Sequence, residues 1–228
     1  MSVAERLAAE LFAALDVGLA LAEAGDAARA IAALAPAERS LVARAAPERV
    51  AAFALGRHAA HAALARLGAP DVPLLAGADR APCWPAGFVG SIAHAGGLAV
   101  AVAARAEAAG GLGIDVEPER GLESELWPSI ATASELAWLR SLPAERGGRA
   151  ALAVFCAKEA VFKAWYPRGR RILEFAEVEL PVPLAEARAV TRVAAPQAEV
   201  VVRLTASAGF LFAGAVATFA APGTGEDG

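Results

Sequence analysis

A chain of 228 residues that is 57% apolar and 20% charged is long enough to bury a core as one large domain or two small ones. Its formal net charge of −4 gives no general footprint for nucleic acid or an acidic membrane, so an anionic ligand would need a local basic site. The two cysteines, Cys83 and Cys156, lie far apart, which excludes a disulfide framework or a thiolate metal site and fits a reducing cytoplasm.

Taken from the N-terminus, MSVAERLAAELFAALDV is interrupted by Glu5, Arg6, Glu10 and Asp16 and reads as an amphipathic helix, not a secretory leader. The pattern stays mostly helical to about Leu67, where Gly68 and Pro70 supply the stop. Proline-rich LLAGADRAPCWPAGF predicts a loop. Two strands follow, VGSIAH and LAVAVAAR, turned around Gly96 and Gly97. The segment RAEAAGG then marks a boundary between two halves, 1–109 and 110–228.

GGLGIDVEPER predicts a glycine turn feeding a short strand. Beyond Pro118 come a polar loop, a helix near Ala133 to Leu142 and a second helix from about Arg149 to Tyr166. RILEFAEVELPVPL alternates as an edge strand would. Leu204 to Gly225 carries no charge and mimics a membrane span, yet β-rich EVVVRLT, a Ser-Ala-Gly turn and FLFAGAVATF predict a buried hairpin. The final GTGEDG reads as a disordered tail. SIAHAGGLAVAVAARA and RLTASAGFLFAGAVATFA echo one another, either as a duplication or because buried hairpins look alike.

Chemistry concentrates in two places. In GIDVEP, residues i and i+2 share a strand face, so Asp115 and Glu117 project together while Ile114 and Val116 point to the core. Two anions that close repel, and a hard divalent cation such as Mg2+ removes the conflict; a solvated strand edge is the plainer alternative. In FCAKEAVFKAW, the residues Leu152, Phe155, Phe162 and Tyr166 form one helical stripe, and Glu159 lies on it. Lys163 follows Glu159 by one turn and Lys158 projects about 100° away around the helix. A surface ion pair would put Glu159 on the polar side, which the stripe contradicts.

These two motifs in this order resemble the signatures of the 4'-phosphopantetheinyl transferases, of the monomeric two-half type, most closely those of the enterobactin synthetase component D kind. ERVAAFALGRHAAHAALARLG, DRAPCWPAGFVGSIAHAGG and LEFAEVEL extend the resemblance over nearly the whole chain. It implies an α+β fold of two similar halves related by a pseudo-twofold, each a small antiparallel sheet packed with helices, with the ligand in the cleft between them. It further implies a monomeric cytoplasmic enzyme of siderophore or secondary metabolism, without nucleic-acid or membrane partners. Its reaction would be attack by a serine of an apo carrier protein (acyl, aryl or peptidyl) on coenzyme A, with release of 3',5'-ADP.

Residue by residue, the resemblance makes Asp115, Glu117 and Glu159 the Mg2+ ligands, with Glu159 also taking the serine proton. Lys163 would neutralise the leaving phosphate, and Lys158 would reach the same region. His94 would contact a phosphate of coenzyme A, and Arg57, Arg49 and Arg80 would hold its 3'-phosphate end. Glu135 corresponds to a glutamate near the metal waters. Two positions depart from the pattern: Ala93 stands where serine is usual and Ala52 where glutamate is common, which implies weaker coenzyme A binding more than lost catalysis. A Mg2+-dependent phosphohydrolase and a non-catalytic binder of coenzyme A or carrier protein are the competing readings.

Other residues carry blander readings. His58 and His61, at i and i+3, have no acidic or cysteine partner at a matching interval and read as packing or as structure near a phosphate. Gly111 and Gly113 lack the third glycine and the helix of a dinucleotide loop. Trp84, Trp127, Trp138 and Trp165 read as anchors, with Trp84 placed to line an adenine pocket. PRGRR, 167–171, reads as a solvated loop or as a dock for an acidic carrier helix.

Overall fold

The computed structural model describes residues 1–13, 15–184, 188–193 and 196–220. Helix α1 (Val3–Leu11) starts at a capping box, in which the Ser2 hydroxyl accepts from the Glu5 amide and the Glu5 carboxylate accepts from the Ser2 amide. It is followed by strand β1 (Val17–Glu23), helices α2 (Ala27–Ala33), α3 (Pro36–Leu41) and α4 (Pro47–Arg66), and the hairpin β2 (Phe88–Ala95) and β3 (Leu98–Arg105). The second half holds β4 (Gly111–Pro118), α5 (Trp127–Ile130), α6 (Ala133–Ser141), α7 (Ala144–Gly169), β5 (Arg188–Val193), β6 (Ala198–Ser207) and β7 (Phe210–Phe219).

The strands form two antiparallel sheets, ordered β1-β3-β2 and β4-β7-β6-β5. Each sheet is built the same way: a strand, a long helix that covers one face, then a hairpin whose second strand pairs with the first strand. The two echoing sequence segments are those hairpins, in equivalent places. Both turn through two residues of positive φ, Gly96 and Gly97 in one, Ala208 and Gly209 in the other, the geometry that matches strand twist.

Alanine gives these layers their closeness. Ala59, Ala60 and Ala63 of α4 meet Ala20, Ala22, Ala99, Ala101 and Ala103 of the first sheet. A methyl at Gly18 would lie 1.9 Å from the Ala63 carbonyl oxygen, so β1 and α4 touch backbone to backbone. The larger side chains fill the seam between the sheets, where Leu19, Val100, Ile114, Val116 and Phe212 pack with Leu7 and Leu11 of α1. Polar bonds also cross this seam. Ser91 Oγ accepts from the Ile114 amide at 3.1 Å, Arg6 donates to Ser207 Oγ at 2.6 Å, and Thr205 donates to Glu10 at 2.6 Å.

Several sequence expectations are corrected. β1 interrupts the N-terminal region read as helical. α7 begins five residues before Arg149 and continues through Pro167 to Gly169. LEFAEVEL forms a short 3-10 turn, Phe175–Glu177, and the edge strand is β5. The GTGEDG tail lies outside the described residues. The uncharged stretch from Leu204 enters the β6–β7 hairpin, and among the described residues no helix is long and apolar enough to cross a membrane.

Candidate functional site

β4 presents Gly111, Gly113, Asp115 and Glu117 on one face and Leu112, Ile114 and Val116 to the shared core on the other, as the alternation predicts. α7 crosses the first face. A methyl at Gly111 would sit 2.0 Å from the Ala164 carbonyl oxygen, and one at Gly113 1.8 Å from that of Ala160. Only glycine permits this approach. The next residue on the face, Asp115, meets the helix one turn earlier, where its Oδ2 accepts from Cys156 Sγ at 3.2 Å and its Oδ1 from Lys163 Nζ at 2.6 Å. The glycine pair therefore sets the distance at which α7 side chains meet Asp115, a packing signal rather than a nucleotide loop.

Three carboxylates share the resulting field. Asp115 is 5% exposed. Burial lifts the Glu159 carboxyl above its ordinary value, Lys163 draws it back, and Asp115 adds to the lift. Burial likewise lifts Glu117, then the charge of Asp115, with Lys163 opposing and Glu159 adding. Cys156, which sequence reading passed over, is buried; burial and then Asp115 push its thiol far up, so it remains a proton donor to that carboxylate. Among the described residues no trio of His, Cys, Asp or Glu is posed to grip a metal ion, and Asp115 is engaged by Cys156 and Lys163 instead. The donor chemistry nevertheless suits a hard cation: the oxygens are carboxylate, and Asp115 raises the charge cost of both Glu117 and Glu159.

Lys163, the partner of Asp115, lines a cleft of about 670 Å³, whereas Glu159 lines a smaller cavity of about 160 Å³ with Lys158 and Phe162. One wall of the cleft is the loop carrying Arg80, Cys83 and Trp84; the other is α7 with Phe162, Lys163 and Tyr166. Trp84 packs over Gly90 of β2, where a methyl would fall 2.6 Å from the indole. The stripe of Phe155, Glu159, Phe162 and Tyr166 is half-buried, while Ala157, Ala160, Val161 and Ala164 form the true core face. His94, on β2, is held below its ordinary value by burial and then by Arg49, with Lys163 acting the same way and Asp115 against it. His94 thus feels Arg49 as well as Lys163 and Asp115.

Asp79 ties the loop to α7: its Oδ2 accepts from Tyr166 Oη at 2.9 Å and from Arg170 Nη1 at 3.0 Å. Of the PRGRR run, Arg168 stacks on Phe219, Arg170 holds Asp79, and Arg171 pairs with Glu177. These arginines have partners within the molecule yet remain exposed, and the run's first three residues close α7 instead of forming a loop.

Three expected residues lie elsewhere. Lys158 is 1% exposed; its ammonium donates to Glu135 at 2.6 Å and to the Phe175 carbonyl at 2.8 Å, so it does not reach the cleft. Glu135 is fully buried and also accepts from the amides of Leu180 and Thr132, each at 2.7 Å, which makes it the joint between α6, α7 and the following turn. Arg57 is buried over the Phe53 ring, donates to the Leu74 carbonyl at 2.9 Å, and lines a smaller cavity of about 290 Å³ with His58 and His61. His61 does have an acidic partner, Glu38 of α3 at 2.8 Å, which no spacing within its own helix could reveal.

Comparisons with known proteins converge on one family. A family model described as the 4'-phosphopantetheinyl transferase N-terminal domain matches residues 37–104, and one described as the 4'-phosphopantetheinyl transferase superfamily matches 111–212. The 4'-phosphopantetheinyl transferase Svp of Streptomyces mobaraensis is 47% identical over 150 residues, 65% of this chain and 61% of the relative. The 4'-phosphopantetheinyl transferase Npt of Nocardia iowensis is 36% identical over 154 residues, 68% of each. Enterobactin synthase component D of Salmonella typhi is 38% identical over 125 residues, 53% of this chain and 50% of the relative. The match spans from half to about two thirds of these relatives' lengths.

Proposed function

We propose, because this chain belongs to the 4'-phosphopantetheinyl transferase family, that it transfers the 4'-phosphopantetheine group of coenzyme A to a serine hydroxyl of an apo carrier protein. The observation that carries the reading is the Asp115–Lys163 pair at the cleft that Lys163 lines, set by the glycine packing of β4 on α7, with Glu159 in the field of both. Residues 1–109 would supply the nucleotide side through Arg49, Arg80 and His94, and residues 110–228 the acids and the lysine helix. Arg57 would contribute by bracing α4 on the Leu74 carbonyl.

In this reaction the serine oxygen bonds to the β-phosphorus of coenzyme A, the bridging P–O bond breaks, and 3',5'-ADP leaves. Glu159, held half-buried with a raised carboxyl, accepts the serine proton. Lys163 turns from Asp115 to the charge growing on the departing phosphate, so positioning and charge stabilisation do most of the work. Asp115, Glu117 and Glu159 are the residues that would hold Mg2+, which when bound supplies charge neutralisation on the diphosphate.

The test is to incubate the protein with an apo carrier domain, coenzyme A and Mg2+, and to weigh the carrier by mass spectrometry. A phosphopantetheine adduct with stoichiometric 3',5'-ADP supports the reading. 3',5'-ADP without an adduct identifies a phosphohydrolase, and binding without turnover identifies a non-catalytic binder. Siderophore and other secondary-metabolite carriers are the first substrates to try.

A further inference from the structure

We infer that Asp79 is a positioning residue that clasps the Arg80 wall of the cleft to α7 and so sets affinity for coenzyme A; this rests on the transferase reading above. One carboxylate does two jobs. Its Oδ1 accepts from the Ala81 amide at 3.0 Å, fixing the turn in which Arg80 adopts φ +66°. Its Oδ2 accepts from Tyr166, one turn beyond Lys163 on α7, and from Arg170, the residue that caps that helix. Arg170 is itself left-handed, at φ +51°. Two non-glycine residues in a costly backbone region therefore flank a single acid, one from each half, and such conformations persist only where the surroundings over-determine them.

Around Asp79 the loop's backbone hydrogen bonds close it on itself: Gly77 accepts from Arg80, Gly77 donates to Ala81, and Cys83 donates to Leu75, while Leu74 at its start is bonded to Arg57 and Glu38 of the first half. The Asp79 contacts are what join it to the helix. An anion in a cleft that receives phosphates would repel them unless its charge were already answered, and Tyr166 and Arg170 answer it. Asp79 thus acts on the ligand through the fixed separation of Arg80 and Lys163, which line the same cleft. Without the clasp the ligand itself must order that wall, and the ordering cost appears in binding.

Steady-state transfer by Asp79→Ala should show KM for coenzyme A raised roughly three- to tenfold, with kcat and the carrier KM unchanged. Tyr166→Phe should move KM the same way by less, Asp79→Glu should restore part of the loss, and the Asp79→Ala/Tyr166→Phe double variant should be no worse than Asp79→Ala, since both act at one carboxylate. Calorimetry with 3',5'-ADP supplies a readout independent of turnover and should weaken by the same factor. Unchanged KM and nucleotide affinity in Asp79→Ala overturn the inference, as does a kcat loss with KM intact. Should Asp79→Ala not fold, unchanged nucleotide affinity in Tyr166→Phe overturns it alone. A wild type that binds 3',5'-ADP but modifies no carrier refutes the transferase reading and leaves the calorimetric comparison to decide the clasp.

Discussion

Asp115 and Lys163 meet at 2.6 Å across the line where β4 and α7 touch, and Cys156 occupies the other oxygen of the same carboxylate. The ammonium therefore rests on that acid while also lining the cleft. Replacing Lys163 with Met should lower kcat by about a hundred- to a thousandfold, the usual cost of losing one charge-stabilising group, and should raise the coenzyme A KM much less. Equal losses in binding and turnover would instead mark Lys163 as an anchor for the ground state.

Glu159 combines loss of function with gain of stability. Its folded carboxyl is raised above the unfolded value chiefly by burial, so at neutral pH the ionised form opposes folding. That penalty is fully present above the folded pKa, shrinks as pH falls through it, and is gone below the unfolded value. Glu159→Gln should abolish metal-dependent transfer yet melt higher than wild type at neutral pH, with the two curves converging as pH is lowered towards the ordinary carboxylate range. A variant that melts lower at neutral pH would refute the burial account.

Gly113→Ala tests the packing that aligns the site. Its methyl would stand 1.8 Å from a helix carbonyl, so α7 must move, at a cost of about 1–3 kcal/mol, and kcat should fall with it. Gly18→Ala makes the equivalent clash in the first half, 1.9 Å from Ala63, and should cost similar stability by urea titration with kcat of the folded fraction kept. Equal kcat losses in both variants would show that the packing has no special bearing on catalysis.

Lys158→Met should destabilise the protein by about 3–5 kcal/mol, since it leaves Glu135 buried and unanswered. Adding Glu135→Gln should recover part of that, because it removes the unanswered charge, although its single amide oxygen can accept from only one of the Leu180 and Thr132 amides. The coenzyme A KM of the folded Lys158→Met fraction should be unchanged. A large rise would restore Lys158 to the nucleotide contacts expected from sequence.

The site was legible where the chain's own periodicity carried it. Alternation in GIDVEP placed Asp115 and Glu117 on one face, and the turn spacing of Glu159 and Lys163 made them neighbours. What escaped was decided by distant partners. β1 hides among alanine-rich helices and becomes a strand by pairing with β3; Gly147 and Gly148 look like helix breakers, but Gly147 lets Trp127 pack close to α7 and Gly148 lets the Gly121 backbone do so. Lys158 is the sharpest case. Its place on the helix gives no sign that a buried glutamate from α6 and a carbonyl from a later turn will claim it.

Helix α1 is bonded to Thr205 and Ser207 of β6 as well as packed on its own half. During synthesis α1 is made well before β6, so its docking cannot be complete until that strand has emerged. A nascent chain paused after β4 would carry Leu7 and Leu11 without the cover that Phe212 later provides, a sticky intermediate that chaperones would be expected to hold.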